Sequence, residues 1–127
     1  MSVRVLVVDD ESDVKMLFRQ QFRREIREGK FVLDFALSSD EALTKVRDVD
    51  GATIILLVSD INMPGMSGLD LLPHIKAERP DIPVLMVTAY GDENTRKMAL
   101  ERGADGFLTK PIDFSSLRSE VQARLAA

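Results

Sequence analysis

Three six-residue runs, Val3–Val8, Thr53–Val58 and Ile82–Val87, are rich in Val, Ile and Leu and lack the polar alternation of a sheet with one wet face. Strands of that kind are buried on both sides, so the fold must supply a covering layer above and below them. The run Phe31–Ala36 differs. Its mid-run acid, Asp34, fits an edge strand better than a central one, and Gly106–Thr109 suits a short fifth strand.

Helical signals fill the gaps. Val14, Leu17, Phe18, Phe22 and Ile26 recur at three- and four-residue spacing and predict one helix, ended by Gly29. Ser38 with Glu41 and Ser67 with Asp70 have capping-box spacing, opening helices through Val46 and to about Ala77. Asp92 and Asp113 can cap two more, and Gly103 can stop the fourth helix in a left-handed cap. Five strands alternating with five helices call for right-handed crossovers between parallel strands, which is a doubly wound α/β domain.

The 127 residues contain 45% apolar side chains and no Gly/Ser/Pro-rich break, so one domain spanning residues 1–127 is expected, either free-standing or excised from a longer regulator. With no Cys, disulfides, thiol catalysis and Cys-based metal sites are excluded, and a cytoplasmic setting is the default. Val3–Val8 is too short for a membrane span and runs into acids, so neither an anchor nor a signal peptide is expected. The net charge of -4 argues against direct nucleic-acid binding.

In doubly wound sheets ligands bind outside the carboxyl ends of the strands. The polar residues just past the apolar runs are Asp9 and Asp10, Asp60, Thr88 and Lys110, and the topology brings them to one rim. Three carboxylates there repel one another, which a hard divalent cation relieves; oxygen-only donors favour Mg²⁺ over zinc. One carboxylate can then attack a phosphoryl group in line while Lys110 and Thr88 take its remaining oxygens. Taken singly these residues are ordinary: acids before a helix are often caps, Asp60 could be a turn acid, Thr88 a strand-end hydroxyl and Lys110 a solvated charge. Only their constellation at one rim sets them apart.

Asp9-Asp10, Asp60 followed by Met63-Pro64-Gly65, Thr88-Ala89 and Lys110-Pro111, in this order and spacing, resemble the receiver domain of two-component response regulators, chemotaxis regulators included. The resemblance covers essentially the whole chain. It implies a flavodoxin-like strand order 2-1-3-4-5, with Asp60 as phosphoacceptor, Asp10 and Asp60 as direct Mg²⁺ ligands, Asp9 acting through water and Asn62 through its backbone carbonyl. It further implies that Lys110 pairs with the phosphoryl group, that Thr88 moves toward it, that Phe107 turns inward behind Thr88, and that Lys110-Pro111 is cis. Tyr90 would stand at the mouth of the site and shield the phosphoryl group. A histidine kinase or phosphotransfer protein would be the donor, and the surface of the fourth helix, fifth strand and fifth helix would carry the signal to an unknown output domain or target, with dimerisation as one outcome. Such a domain is not an enzyme beyond its own phosphorylation and dephosphorylation. Segments such as Thr88–Asp92 and Lys110–Phe114 are also similar to receivers ahead of catalytic output domains, cyclases among them.

Other residues carry weaker readings. His74, the sole histidine, is expected on the surface of the third helix, and Pro73 beside it should distort or shorten that helix. Arg19, Arg23, Arg24, Arg27 and Lys30 make the end of the first helix basic; this is either a solvated face or one that selects an acidic donor surface. An aspartate-nucleophile phosphatase would want an acid where Asn62 stands. A flavin binder would want a hydroxyl- and glycine-rich loop where Asp9-Asp10-Glu11 would repel phosphate. The alternative function on the same fold is a phosphorylation-independent protein-interaction module.

Overall fold

The computed structural model describes residues 3–47, 53–89 and 91–126. Five strands, β1 (Val3–Val8), β2 (Val32–Ala36), β3 (Thr53–Asp60), β4 (Val84–Thr88) and β5 (Gly106–Thr109), form one parallel sheet in the order β2-β1-β3-β4-β5. The helices are α1 (Asp13–Gln21), α2 (Arg23–Arg27), α3 (Ser39–Arg47), α4 (Gly68–Glu78), α5 (Glu93–Glu101) and α6 (Phe114–Ala126). None of the described helices is long and apolar enough to cross a membrane.

The unbroken apolar runs are explained by the two-sided core. On β1, Val5 and Val7 point to one face with Phe18, Phe22 and Leu117, while Leu6 and Val8 point to the other with Leu71, Leu72 and Ile75. The same alternation on β3 and β4 sends Val58 and Val87 one way and Leu57 and Met86 the other. As Asp34 suggested, β2 is an edge. The strand at 82–87 is shifted: Ile82 and Pro83 precede β4, which runs on to Thr88.

The predicted caps form. Ser38 Oγ accepts from the Glu41 N–H at 3.1 Å, while the Glu41 carboxylate returns to the Leu37 N–H rather than to Ser38. Ser67 accepts from Asp70 at 3.2 Å and Asp92 from Thr95 at 2.7 Å. Asp113 accepts from Ser115 and Ser116, and Gly29 and Gly103 take positive φ angles of 70° and 102°.

Two helix expectations need correction. The first helix is divided at Phe22, whose φ of -107° and ψ of 20° interrupt it between α1 and α2. The i→i−4 bonds Phe22 to Phe18 and Ile26 to Phe22 persist, so the chain bends without unravelling, at the point where the Phe22 ring is wedged among Phe18, Phe31 and Phe114. The predicted fourth and fifth helices are therefore α5 and α6. Pro73, in turn, does not shorten its helix, since α4 runs five residues past it to Glu78. A proline there leaves the Leu69 carbonyl without its usual i→i−4 donor, and the Arg102 guanidinium supplies one from α5's end at 2.9 Å.

Candidate functional site

Parallel strands end together, so the polar residues after β1 and β5 and at the ends of β3 and β4 meet at one rim. Asp9 and Asp60 are buried, 7% and 4% exposed, whereas Asp10 is open to solvent. Carboxylate oxygens of Asp9, Asp10 and Asp60 lie within 4.8 Å of one another. The Lys110 ammonium bridges the two buried acids, 3.4 Å from Asp9 Oδ2 and 3.3 Å from Asp60 Oδ2. Backbone donors hold the other two oxygens: the Glu11 N–H gives to Asp9 Oδ1 at 2.9 Å, and the Asn62 N–H to Asp60 Oδ1 at 3.2 Å.

One lysine does not balance three acids. Burial, reinforced by the Asp9 charge, raises the Asp60 pKa above 3.8 despite Lys110 and the Asn62 N–H. Burial also opposes the Lys110 ammonium, but the charges of Asp60 and Asp9 outweigh it and its pKa is raised. This residual repulsion, with a donor set made only of oxygens, fits a hard divalent cation.

Local sequence fixes each side chain. Asp60 is the last residue of β3, and Gly68 opens α4 directly against it; a Cβ on Gly68 would lie 2.2 Å from the Asp60 carbonyl oxygen. No side chain fits there, so glycine lets the helix start pack on the end of β3. Lys110 follows β5 and precedes a cis peptide bond to Pro111, as the resemblance implied. Thr88 is buried at the end of β4, in register with Thr109.

The rim thus brings together Asp9, Asp10, Asp60, Asn62, Thr88 and Lys110. Phe107 is half-buried one strand over, paired in register with Met86 and packed against the core face shared with Leu72 and Ala99. Tyr90 lies outside the described residues. His74 is exposed on α4, as expected. Two contributors escaped the sequence reading. The Asn62 side-chain amide donates to the Thr88 hydroxyl at 3.2 Å, tying the loop after β3 to the end of β4. Ser39, buried on α3, donates to the Met66 carbonyl at 2.8 Å and anchors that same loop from the other side. A resemblance that assigns Asn62 a backbone role gives no signal for its amide, and a lone Ser at a helix start reads as a cap.

Residues 5–122 match the family model for the response regulator receiver domain. Among relatives, a response regulator protein PilR of Pseudomonas aeruginosa is 37% identical over 96% of this chain and 26% of its own length. A two-component response regulator PhoP of the same organism is 32% identical over 97% of this chain and 52% of its own. The chain therefore spans about a quarter to a half of these relatives. Among solved structures, a CheY-like receiver domain protein from Methanospirillum hungatei superposes with a TM-score of 0.84 at 27% identity, covering 99% of this chain and 95% of that one. The CheX–CheY complex from Borrelia burgdorferi, with BeF₃ and Mg²⁺, gives 0.81 at 31% identity over 95% and 87% of the two chains. With the family match covering nearly its whole length and the acids, threonine and lysine gathered at the rim, this chain belongs to the response regulator receiver domains of two-component systems.

Proposed function

We propose that this domain accepts a phosphoryl group on Asp60 from a histidine kinase or phosphotransfer protein and thereby switches the surface formed by α5, β5 and α6. The observation that carries the reading is the Lys110 ammonium held 3.3 Å from a buried Asp60 that faces Asp9 across a charge deficit. Asp60 attacks phosphorus in line, an Asp60 O–P bond forms, and the donor's P–N or acyl P–O bond breaks with its electron pair leaving on the donor. Lys110 pairs with a phosphoryl oxygen as charge builds there. Asp10, Asp60 and the Asn62 carbonyl would hold Mg²⁺, with Asp9 acting through water, and the ion would supply positive charge to offset the carboxylates and the incoming phosphoryl oxygens.

Switching requires only that phosphate favour one arrangement over another by a few kcal/mol. In this reading Thr88 exchanges its contact with Asn62 for a phosphoryl oxygen, Phe107 turns inward behind it, and Tyr90 shields the product from water. The domain catalyses only its own phosphorylation and dephosphorylation, in the cytoplasm, and its output is a target protein, a further domain or a dimer. The test is a two-dimensional NMR titration with beryllofluoride and Mg²⁺. The reading expects shifts at Asp60, Thr88 and Phe107 that extend across α5, β5 and α6. Saturable binding confined to Asp60 would refute the switch, and no binding would favour a phosphorylation-independent interaction module.

A further inference from the structure

A second feature lies along the edge of the sheet. Between the α1–α2 segment and the edge strand β2 runs a groove of about 820 Å³, lined by Met16, Ile26 and Val32 and rimmed by Arg19, Arg23 and Arg27. Met16 is 74% exposed and Val32 52%, unusual values for apolar residues that sit side by side. Val3, Gly29 and Lys30 close the same end of the groove, at the start of β1 and β2. Asp9 follows the far end of β1, about 20 Å away at 3.3 Å per residue. The Met16 and Arg19 end lies nearer the rim, since Arg19 sits over Phe35, which pairs with Val7 two residues before Asp9.

The charges decide what the groove would hold. The rim arginines recur every four residues along one helical face, about 6 Å apart at 1.5 Å per residue. Arg19 stacks over the Phe35 ring at 5.3 Å, while Arg23 and Arg27 make no hydrogen bond or ion pair among the described residues. Lys30, beside them, has only a loose 3.8 Å pair with Glu28. A chain of net charge -4 thus concentrates uncompensated positive charge around an apolar channel. A single-headed amphiphile would answer one arginine. A peptide would answer the row, because alternate residues of an extended segment stand about 6.6 Å apart, close to the arginine spacing, and β2 is an edge with no strand on its outer side.

We infer that this groove docks an acidic amphipathic peptide segment of a partner protein, its apolar residues on Met16, Ile26 and Val32 and its carboxylates on the arginine row. This docking is separate from phosphoryl transfer, and it reassigns Arg23 and Arg27 from donor selection to a second partner.

The experiment selects randomised twelve-residue peptides displayed on phage against the whole chain, then titrates the synthesised winners by fluorescence anisotropy. Expected are sequences with two or more Asp or Glu flanking apolar residues, bound at least tenfold more weakly by Arg23→Glu/Arg27→Glu and by Val32→Lys. Thermal unfolding checks that these exposed substitutions leave the fold intact, and methyl shifts of Met16 and Ile26 in the wild type locate the peptide without any variant. Peptides lacking acids, unchanged affinity in folded variants, or shifts elsewhere on the surface overturn the inference. So does arginine-dependent binding of oleate or phosphatidylglycerol vesicles in place of peptide, or wild-type dimerisation that Arg23→Glu/Arg27→Glu abolishes.

Discussion

Two acidic sites sit on this sheet, and their charge balances are opposite. At the carboxyl-end rim, Asp9, Asp10 and Asp60 share one cation, Lys110. On the edge strand a single acid, Asp34, has two: Lys45 at 2.7 Å and Arg4 at 3.1 Å, with the Phe35 N–H giving a third bond at 2.9 Å. Burial pushes both Asp34 and Asp60 upward. At Asp34 the Lys45 bond, with the other donors, wins and the pKa falls below 3.8; at Asp60 the Asp9 charge adds to burial and the pKa rises above it. The edge site is complete without a ligand and contributes to stability, whereas the rim keeps a repulsion that Lys110 only partly offsets and a divalent cation would relieve.

The contrast is broken most strongly at Lys110. Lys110→Ala removes the one cation that the described residues pair with the rim acids, and phosphate uptake from acetyl phosphate is expected to slow at least a hundredfold, about 2.7 kcal/mol in barrier, in a time course of intact mass. Asp34→Asn should leave uptake unchanged but lower stability by about 2 kcal/mol in urea denaturation, because Lys45 and Arg4 lose a partly buried partner.

Acidification separates the two sites by sign. A lowered folded pKa stabilises above 3.8 and loses that contribution as pH falls below it, so the deficit of Asp34→Asn should close only beneath 3.8. A raised folded pKa costs stability as pH climbs from 3.8 through the folded value, so metal-free Asp60→Asn should be more stable than wild type near neutrality. That advantage should vanish on descent toward 3.8. Windows on the same side of 3.8 in denaturation series run from acid to neutral pH would contradict the assignment.

Mg²⁺ sharpens the comparison from the rim side. At ten times its Kd it should stabilise wild type by about 1.4 kcal/mol in thermal melts and Asp60→Asn by less, with Asp34→Asn gaining as much as wild type. The smallest expected effect is structural: Arg102→Ala leaves the Leu69 carbonyl opposite Pro73 without its donor and should cost about 1 kcal/mol, with uptake unaltered.

The sequence carried the architecture because its three central strands are uninterrupted apolar runs and the helices α3 to α6 carry side-chain caps, both local signals. The rim residues were legible for the same reason, since a polar residue ending an apolar run has only the strand end to occupy. What escaped were contacts between distant segments. The bond from Asn62 to Thr88 spans 26 residues and follows no period. Pro73 read as a helix breaker because nothing near it foretold that Arg102, arriving from another helix, would satisfy the carbonyl it orphans. Phe22 fitted the helical spacing so well that the break its packing accompanies was invisible.

If Asp60 is the acceptor, the acid-rich rim needs a divalent cation to take up phosphate. Intact mass after incubation with acetyl phosphate and Mg²⁺ tests it directly, with Asp60→Asn and a chelator as comparisons. Wild type should show one phosphate-sized gain, absent from the variant and absent without metal. An equal gain in Asp60→Asn, or one indifferent to chelation, would contradict it.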